Sequence, residues 1–359
     1  MSGKFKSTEV AAVTRLRRRL TFAACALFFF ACAFAGAGEA AARNARQTAD
    51  GGPAKSRILV ASGARVRAEP NAGAGEVGRL GLGVVVRELE RSGEREKIGA
   101  AEDFWYRVAA PGGVEGWVFG ALTAPFEESR RVAIYRRLAG ERLKPAGEEN
   151  AASFAERTDL FAFLTRAASE LKSRDERGEF ELLSLLALHS ALDAVPIDKQ
   201  GEQPYQSFLK THEPHVVYSE PAGQWFVRAD KLWDLQKKYA DLPQLGERIA
   251  WEAAQIPLPG ECEGYLPCHV HLHTLTEGHY LKLYPRGAHA GEALGKIADS
   301  LAEIVKSLSS PENPYDVPAV DRAEFRRTLA LLRTQLSAAP NPNRDRALQQ
   351  LDALARHFR

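Results

Sequence analysis

The chain has 359 residues, of which 45% are hydrophobic and 26% charged, and its formal net charge is +2. These proportions suit about two folded domains with enough apolar material for real cores, so disorder is not the default. Residues 1–37 carry six basic residues and one acidic, so the remaining chain holds a net charge of about −3, which argues against nucleic acid as a partner.

Lys4, Lys6, Arg15, Arg17, Arg18 and Arg19 precede an apolar run from Leu20 to Phe34, and Ala35-Gly36-Ala37 comes after it. A basic start, an apolar stretch and small residues at its end are the layout of a secretory signal peptide. Residues 1–37 are therefore expected to direct export and to be removed, leaving a periplasmic or secreted protein. The run falls short of the roughly 20 apolar residues that span a bilayer core. If retained, residues 20–38 would anchor the chain in the inner membrane, its only expected membrane contact. Residues 38–56 are rich in Ala, Gly and Arg without periodicity and read as a linker.

From residue 57 to residue 123, short β-type runs alternate with Gly, Pro and Asn turns. Arg65-Val66-Arg67 alternates polar with apolar before Glu69-Pro70-Asn71. Val84-Val85-Val86 is β-branched. Trp105-Tyr106-Arg107-Val108 alternates again before Pro111-Gly112-Gly113, and Gly116-Trp117-Val118 closes the run. Strands this short and this closely spaced predict a small barrel. The ordered segments ARVRAEPNAGAGEVGRL, GLGVVVREL, FWYRV and GVEGWVFGAL resemble the bacterial SH3-like (SH3b) family. That resemblance covers under a fifth of the chain. It implies an SH3-like fold and a binding role toward peptidoglycan peptides or proteins.

Alternation places Trp105 and Arg107 on the face opposite Tyr106 and Val108. One set is expected to fill the barrel and the other to lie outside, where exposed aromatics would hold an extended peptide or glycan. Trp105, Phe119 and Tyr106 are the candidate ligand-binding residues, and Trp117 is expected in the core.

Beyond residue 125 the apolar period becomes 3.6, which predicts a mostly α-helical domain over 126–359. Helices are expected over 126–142, 152–173, 178–194, 230–239, 245–255, 290–308, 318–337 and 343–357. The third, apolar nearly all round, is expected to be central and buried. Asp321 is a candidate cap for the helix carrying Phe325, Leu329 and Leu332. His215 to Tyr218 and Gln224 to Val227 flank Glu220-Pro221-Ala222-Gly223 and predict one β-hairpin. The segment EGHYLKLYPRGAHAGEAL, 277–294, resembles the junction of two packed helices in tetratricopeptide-type repeats. No clean 34-residue repeat accompanies it. The expected fold class is therefore multidomain, β plus α: a small barrel, then an antiparallel helix array or bundle with one hairpin.

The densest polar cluster is ECEGYLPCHVHLHTLTEGH, 261–279. Cys25 and Cys32 lie in the leader, so Cys262 and Cys268 are left with five residues between them. In an oxidising compartment they are expected to form one local disulfide. His269 and His273 share a helix face if 264–284 is helical, and a strand would instead align His269, His271 and His273. Zinc on His269 and His273 is the alternative to a site without a cofactor, although no template ligand spacing is present. ECEGYL also resembles the nucleophile motif of the cysteine–histidine cell-wall peptidases that accompany SH3b modules. The downstream sheet that would carry their histidine is not visible. Glu181, His189 and His215 are the scattered zinc-amidase alternative, and His189 in an apolar helix is expected to be a core histidine. Trp225, Trp233 and Trp251 are expected to anchor helix packing.

The chain supports three functional readings. The first is an exported, non-enzymatic envelope adaptor binding peptidoglycan peptide or an envelope protein. The second is a cell-wall hydrolase using Cys262 or a histidine-bound zinc. The third is a purely structural or interaction protein.

Overall fold

The computed structural model describes residues 55–144 and 152–358. The expected signal peptide, and the linker up to residue 54, lie outside the described residues. No described helix is long and apolar enough to cross a membrane.

Seven antiparallel strands form one curled sheet: β1 (Ser56–Leu59), β2 (Ala64–Arg67), β3 (Glu76–Leu80), β4 (Val85–Ile98), β5 (Ala101–Ala109), β6 (Glu115–Phe119) and β7 (Thr123–Phe126). Their order is β3-β2-β6-β5-β4-β1-β7, so β3 and β7 are edges and the barrel is half open. Its inner face packs Leu59, Ala64, Val66, Leu80, Val86, Val108, Ala110 and Val118. Period-2 alternation sends these residues inward and their neighbours out. Gly116 is required where β6 crosses β2, because a Cβ there would sit 2.6 Å from the Arg67 carbonyl oxygen.

Eleven α-helices come next among the described residues. The first three are α1 (Arg131–Arg142), α2 (Phe154–Glu170) and α3 (Arg174–Asp193). A capping box starts α2: the Ser153 hydroxyl accepts from the Glu156 N–H, and the Ser153 N–H donates back to the Glu156 carboxylate. The expected central helix is α3. Phe180, Leu183 and Ala187 feed one apolar cluster, while Leu182, Leu188 and Leu192 feed the next.

The sheet and the first helices share a core. Ile58, Leu82 and Phe126 pack with Tyr135, Leu138, Phe163 and Phe180. The turn after β3 is clasped by α2. The Leu82 N–H donates to Asp159 Oδ2 at 2.9 Å, and Arg166 Nη2 donates to the Leu82 carbonyl at 2.8 Å.

Beyond α3 lie α4 (Tyr205–His212) and a hairpin of β8 (Val216–Ser219) and β9 (Gln224–Val227), in the register Val216↔Val227 to Ser219↔Gln224. The remaining helices are α5 (Ala229–Lys238), α6 (Pro243–Gln255), α7 (Leu266–Leu275), α8 (Glu277–Leu283), α9 (Ala290–Leu308), α10 (Arg322–Ser337) and α11 (Asn343–Arg356). Residues 264–284, open in the sequence, are thus largely helical, with Pro267 at the start of α7 where a missing N–H costs nothing. Asp321 precedes α10 but makes no side-chain cap; its carboxylate accepts from the Tyr265 hydroxyl instead. Trp251 is buried, while Trp225 and Trp233 are half-buried against neighbouring clusters.

Candidate functional site

The outer face of the sheet carries an aromatic pair flanked by arginines. Trp105 on β5 lies directly opposite Phe119 on β6, with ring centroids 5.5 Å apart. Both are nearly inaccessible, at 3% and 5% exposure. They form the floor of a pocket of about 490 Å³, walled by Arg65, Arg67, Ile98 and Ala101.

The long β4–β5 hairpin explains the burial of an outward-facing tryptophan. Its end, Ile98 paired with Ala101, forms one pocket wall. Trp105 Nε1 donates to Glu96 Oε2 at 2.5 Å, and the other Glu96 oxygen accepts from the Ala72 N–H at 3.4 Å. The indole is thereby held in one orientation, its polar edge satisfied and its ring facing the pocket. Two of the pocket-lining residues, Arg65 and Arg67, are cationic, and none is acidic. Arg67 Nη1 is committed to the Ala74 carbonyl at 2.7 Å, while exposed Arg65 lies 3.5 Å from Glu76, a carboxylate it shares with Arg79 across the strands. An apolar floor beneath fixed positive charge suits a small aliphatic side chain next to a carboxylate.

Tyr106 does not join this pocket. It faces the other way, as alternation requires, and the Arg57 guanidinium lies 3.6 Å above its ring. Arg57 is itself held by Thr123 and Glu88. Trp117 departs from the expected core position. It is half-buried on the outer face, in register between Arg67 and Arg107, because Val118 next to it fills the inner face. Arg65 and Arg67 were missed as site residues. Their signal was their shared parity on one strand, aligned with Trp117.

In the 261–279 segment, Cys262 and Cys268 are bonded to one another. Neither sulfur is free to act as a thiolate nucleophile in this state. His269 Nε2 contacts the Glu263 carbonyl at 2.8 Å. His273 lies one turn on, between Glu277 Oε2 at 3.3 Å and Ser300 Oγ at 2.8 Å. Among the described residues, no group of three or more His, Cys, Asp or Glu side chains is gathered to hold a metal ion. Ser300, His273 and Glu277 have the connectivity of a nucleophile–base–acid relay. Ser300, however, sits inside α9, where its own N–H is spent in the helix and cannot stabilise an oxyanion. The trio ties α7, α8 and α9 together.

Glu181 and His215 line one concavity of about 400 Å³, but His189 is not among its walls. Glu181 binds Lys238 and Tyr239, and His189 stacks on Phe226 with its Nδ1 buried and unpartnered.

Residues 62–124 match the Bacterial SH3 domain family. No curated protein matches the chain. A bacterial SH3 domain suggests a binding module for a protein or peptide, and the helical remainder carries no family assignment.

Proposed function

We propose that the protein is an exported, non-enzymatic adaptor of the cell envelope that binds peptide through the Trp105–Phe119 pocket. The occupant best suited to it is a peptidoglycan stem peptide, in which small aliphatic side chains alternate with free carboxylates. The apolar floor takes the side chain, and Arg65 and Arg67 take the carboxylate. The carrying observation is the pocket itself: two aromatic rings under two arginines, on a module of a known binding family. Export is supported by the leader pattern and by the Cys262–Cys268 bond, which persists in an oxidising compartment.

The test is retention on purified sacculi together with calorimetry against a soluble stem peptide. Trp105→Ala is expected to weaken binding about tenfold or more, since a buried aromatic anchor contributes on the order of 2 kcal/mol. Arg65→Ala, at an exposed position, is expected to weaken it several-fold without altering the fold. Unchanged retention by both variants would remove peptidoglycan from the reading. Turnover of sacculus fragments by the purified protein would replace the adaptor with a hydrolase.

A further inference from the structure

A second concavity lies where the sheet meets the helices, apart from the Trp105 pocket. It measures about 880 Å³ and is walled by the end of β3, the start of β4, the first turns of α1 and the end of α2. Its floor is apolar, with Leu80, Val84, Val85 and Val132. Four cationic side chains reach it, Arg79, Arg131, Arg166 and Lys172, against two acidic ones, Glu128 and Glu170.

The internal pairing determines which charges remain free to meet a ligand. Arg131 is consumed: it donates to both oxygens of Glu128 at 2.7 Å and to Glu170 Oε2 at 2.6 Å. The Tyr135 hydroxyl donates to the same Glu170 oxygen at 2.8 Å. Both lining carboxylates are therefore engaged within the wall. Arg166 is anchored by one N–H to the Leu82 carbonyl, with Glu170 Oε1 4.0 Å from its Nε. Among the described residues Arg79 pairs only with Glu76, outside the cleft. Lys172 is exposed and makes no hydrogen bond or ion pair among the described residues. With Glu76 set against Arg79, the surplus is one positive charge above an apolar floor.

We propose that this cleft binds an extended acidic peptide segment of a protein partner, one in which carboxylates alternate with aliphatic side chains. The aliphatic side chains cover Leu80, Val84 and Val132, and the carboxylates meet Arg79, Arg166 and Lys172. A volume near the top of the range for ligand sites accommodates several side chains at once. Positive surplus over low-dielectric walls draws such a segment in. The wall network of Arg131, Glu170 and Tyr135 is already complete, so binding needs no rearrangement of it. Because the cleft is built from both parts of the molecule, it exists only while the sheet is docked on α1 and α2.

The probe is a fluorescein-labelled peptide of alternating Glu and Leu, measured by anisotropy against the purified chain. Its counterpart of alternating Lys and Leu is the control. The acidic peptide is expected to bind, the basic one not to, and added salt to weaken the complex. Lys172→Glu alone is expected to weaken binding several-fold, and Arg79→Glu with Lys172→Glu about tenfold or more. Trp105→Ala is expected to leave this binding unchanged, which separates it from the first pocket. Circular dichroism of each variant reports whether the fold is kept. Equal binding of both peptides, absence of binding, or parental affinity in the folded double variant would overturn the proposal. So would loss of binding in Trp105→Ala.

Discussion

Gly83 governs how the barrel meets the helices. Its φ is +71°, a region that side chains avoid, and a Cβ there would fall 2.0 Å from the Phe163 ring. The two constraints act together, since one is backbone strain and the other overlap with a buried aromatic. Gly63 provides the comparison, with φ +60° and open space where a Cβ would stand. Gly63→Ala is expected to cost about 1 kcal/mol, the left-handed penalty alone. Gly83→Ala adds overpacking and is expected to cost about 2–4 kcal/mol. Urea denaturation of both variants measures the difference, and equal losses would mean that Phe163 moves aside freely. The same residue shows how far the sequence was legible. Gly81-Leu82-Gly83 reads locally as a turn, and nothing near it announces that Leu82 will be buried under a helix some 80 residues away.

Between elements, the tie of α7, α8 and α9 has a pH dependence that follows from its chemistry. Burial works to raise the Glu277 carboxyl, but hydrogen bonds from His273 and Thr276 outweigh it and leave the carboxyl below its ordinary value. A carboxyl lowered in the fold stabilises the protein above its unfolded titration range. That contribution is lost as the pH falls through the lower, folded value. His273→Ala removes one of these hydrogen bonds and so weakens the offset to burial. The variant is expected to lose about 1–3 kcal/mol near neutrality and to show a flattened stability profile across the acid range. Denaturation series of parent and variant at neutral and acid pH measure this, and parallel profiles would refute it. Elements were legible where one period dominated. The 3.6-residue stripe marked the long helices, and strand alternation separated Trp105 from Tyr106. In 266–275 the alternating histidines fit either period, so only the packing of Leu266 and Val270 into the core determines a helix. For Trp105 the pattern gave the face but not the burial, because the Glu96 and Ile98 that enclose it belong to the far end of a hairpin.

At the scale of the molecule, the apolar clusters form a chain joined by shared helices. The inner face of the sheet meets the cluster of Ile58, Leu82 and Phe126, which α1, α2 and α3 complete. The opposite side of α3 enters the next cluster with Leu182, Leu188 and Leu192. Helix α6 repeats the device, with Ile249 and Ala253 on one side and Ala250, Trp251 and Ala254 on the other. The described residues accordingly form one compact unit. Such coupling predicts that the sheet does not open independently of α1–α3. In hydrogen exchange read by mass spectrometry, amides of β4, β5 and α3 are expected to share one opening free energy and one denaturant dependence. Phe180→Ala, which empties a fully buried position on α3, is expected to lower that shared value by about 3–5 kcal/mol. The decrease should be the same in the sheet as in the helix, although Phe180 belongs to the helix. A drop confined to α3, with the β4 and β5 amides unmoved, would show that the barrel is an independent module resting on the helices, and the cleft between them would then be a joint instead of a fixed site.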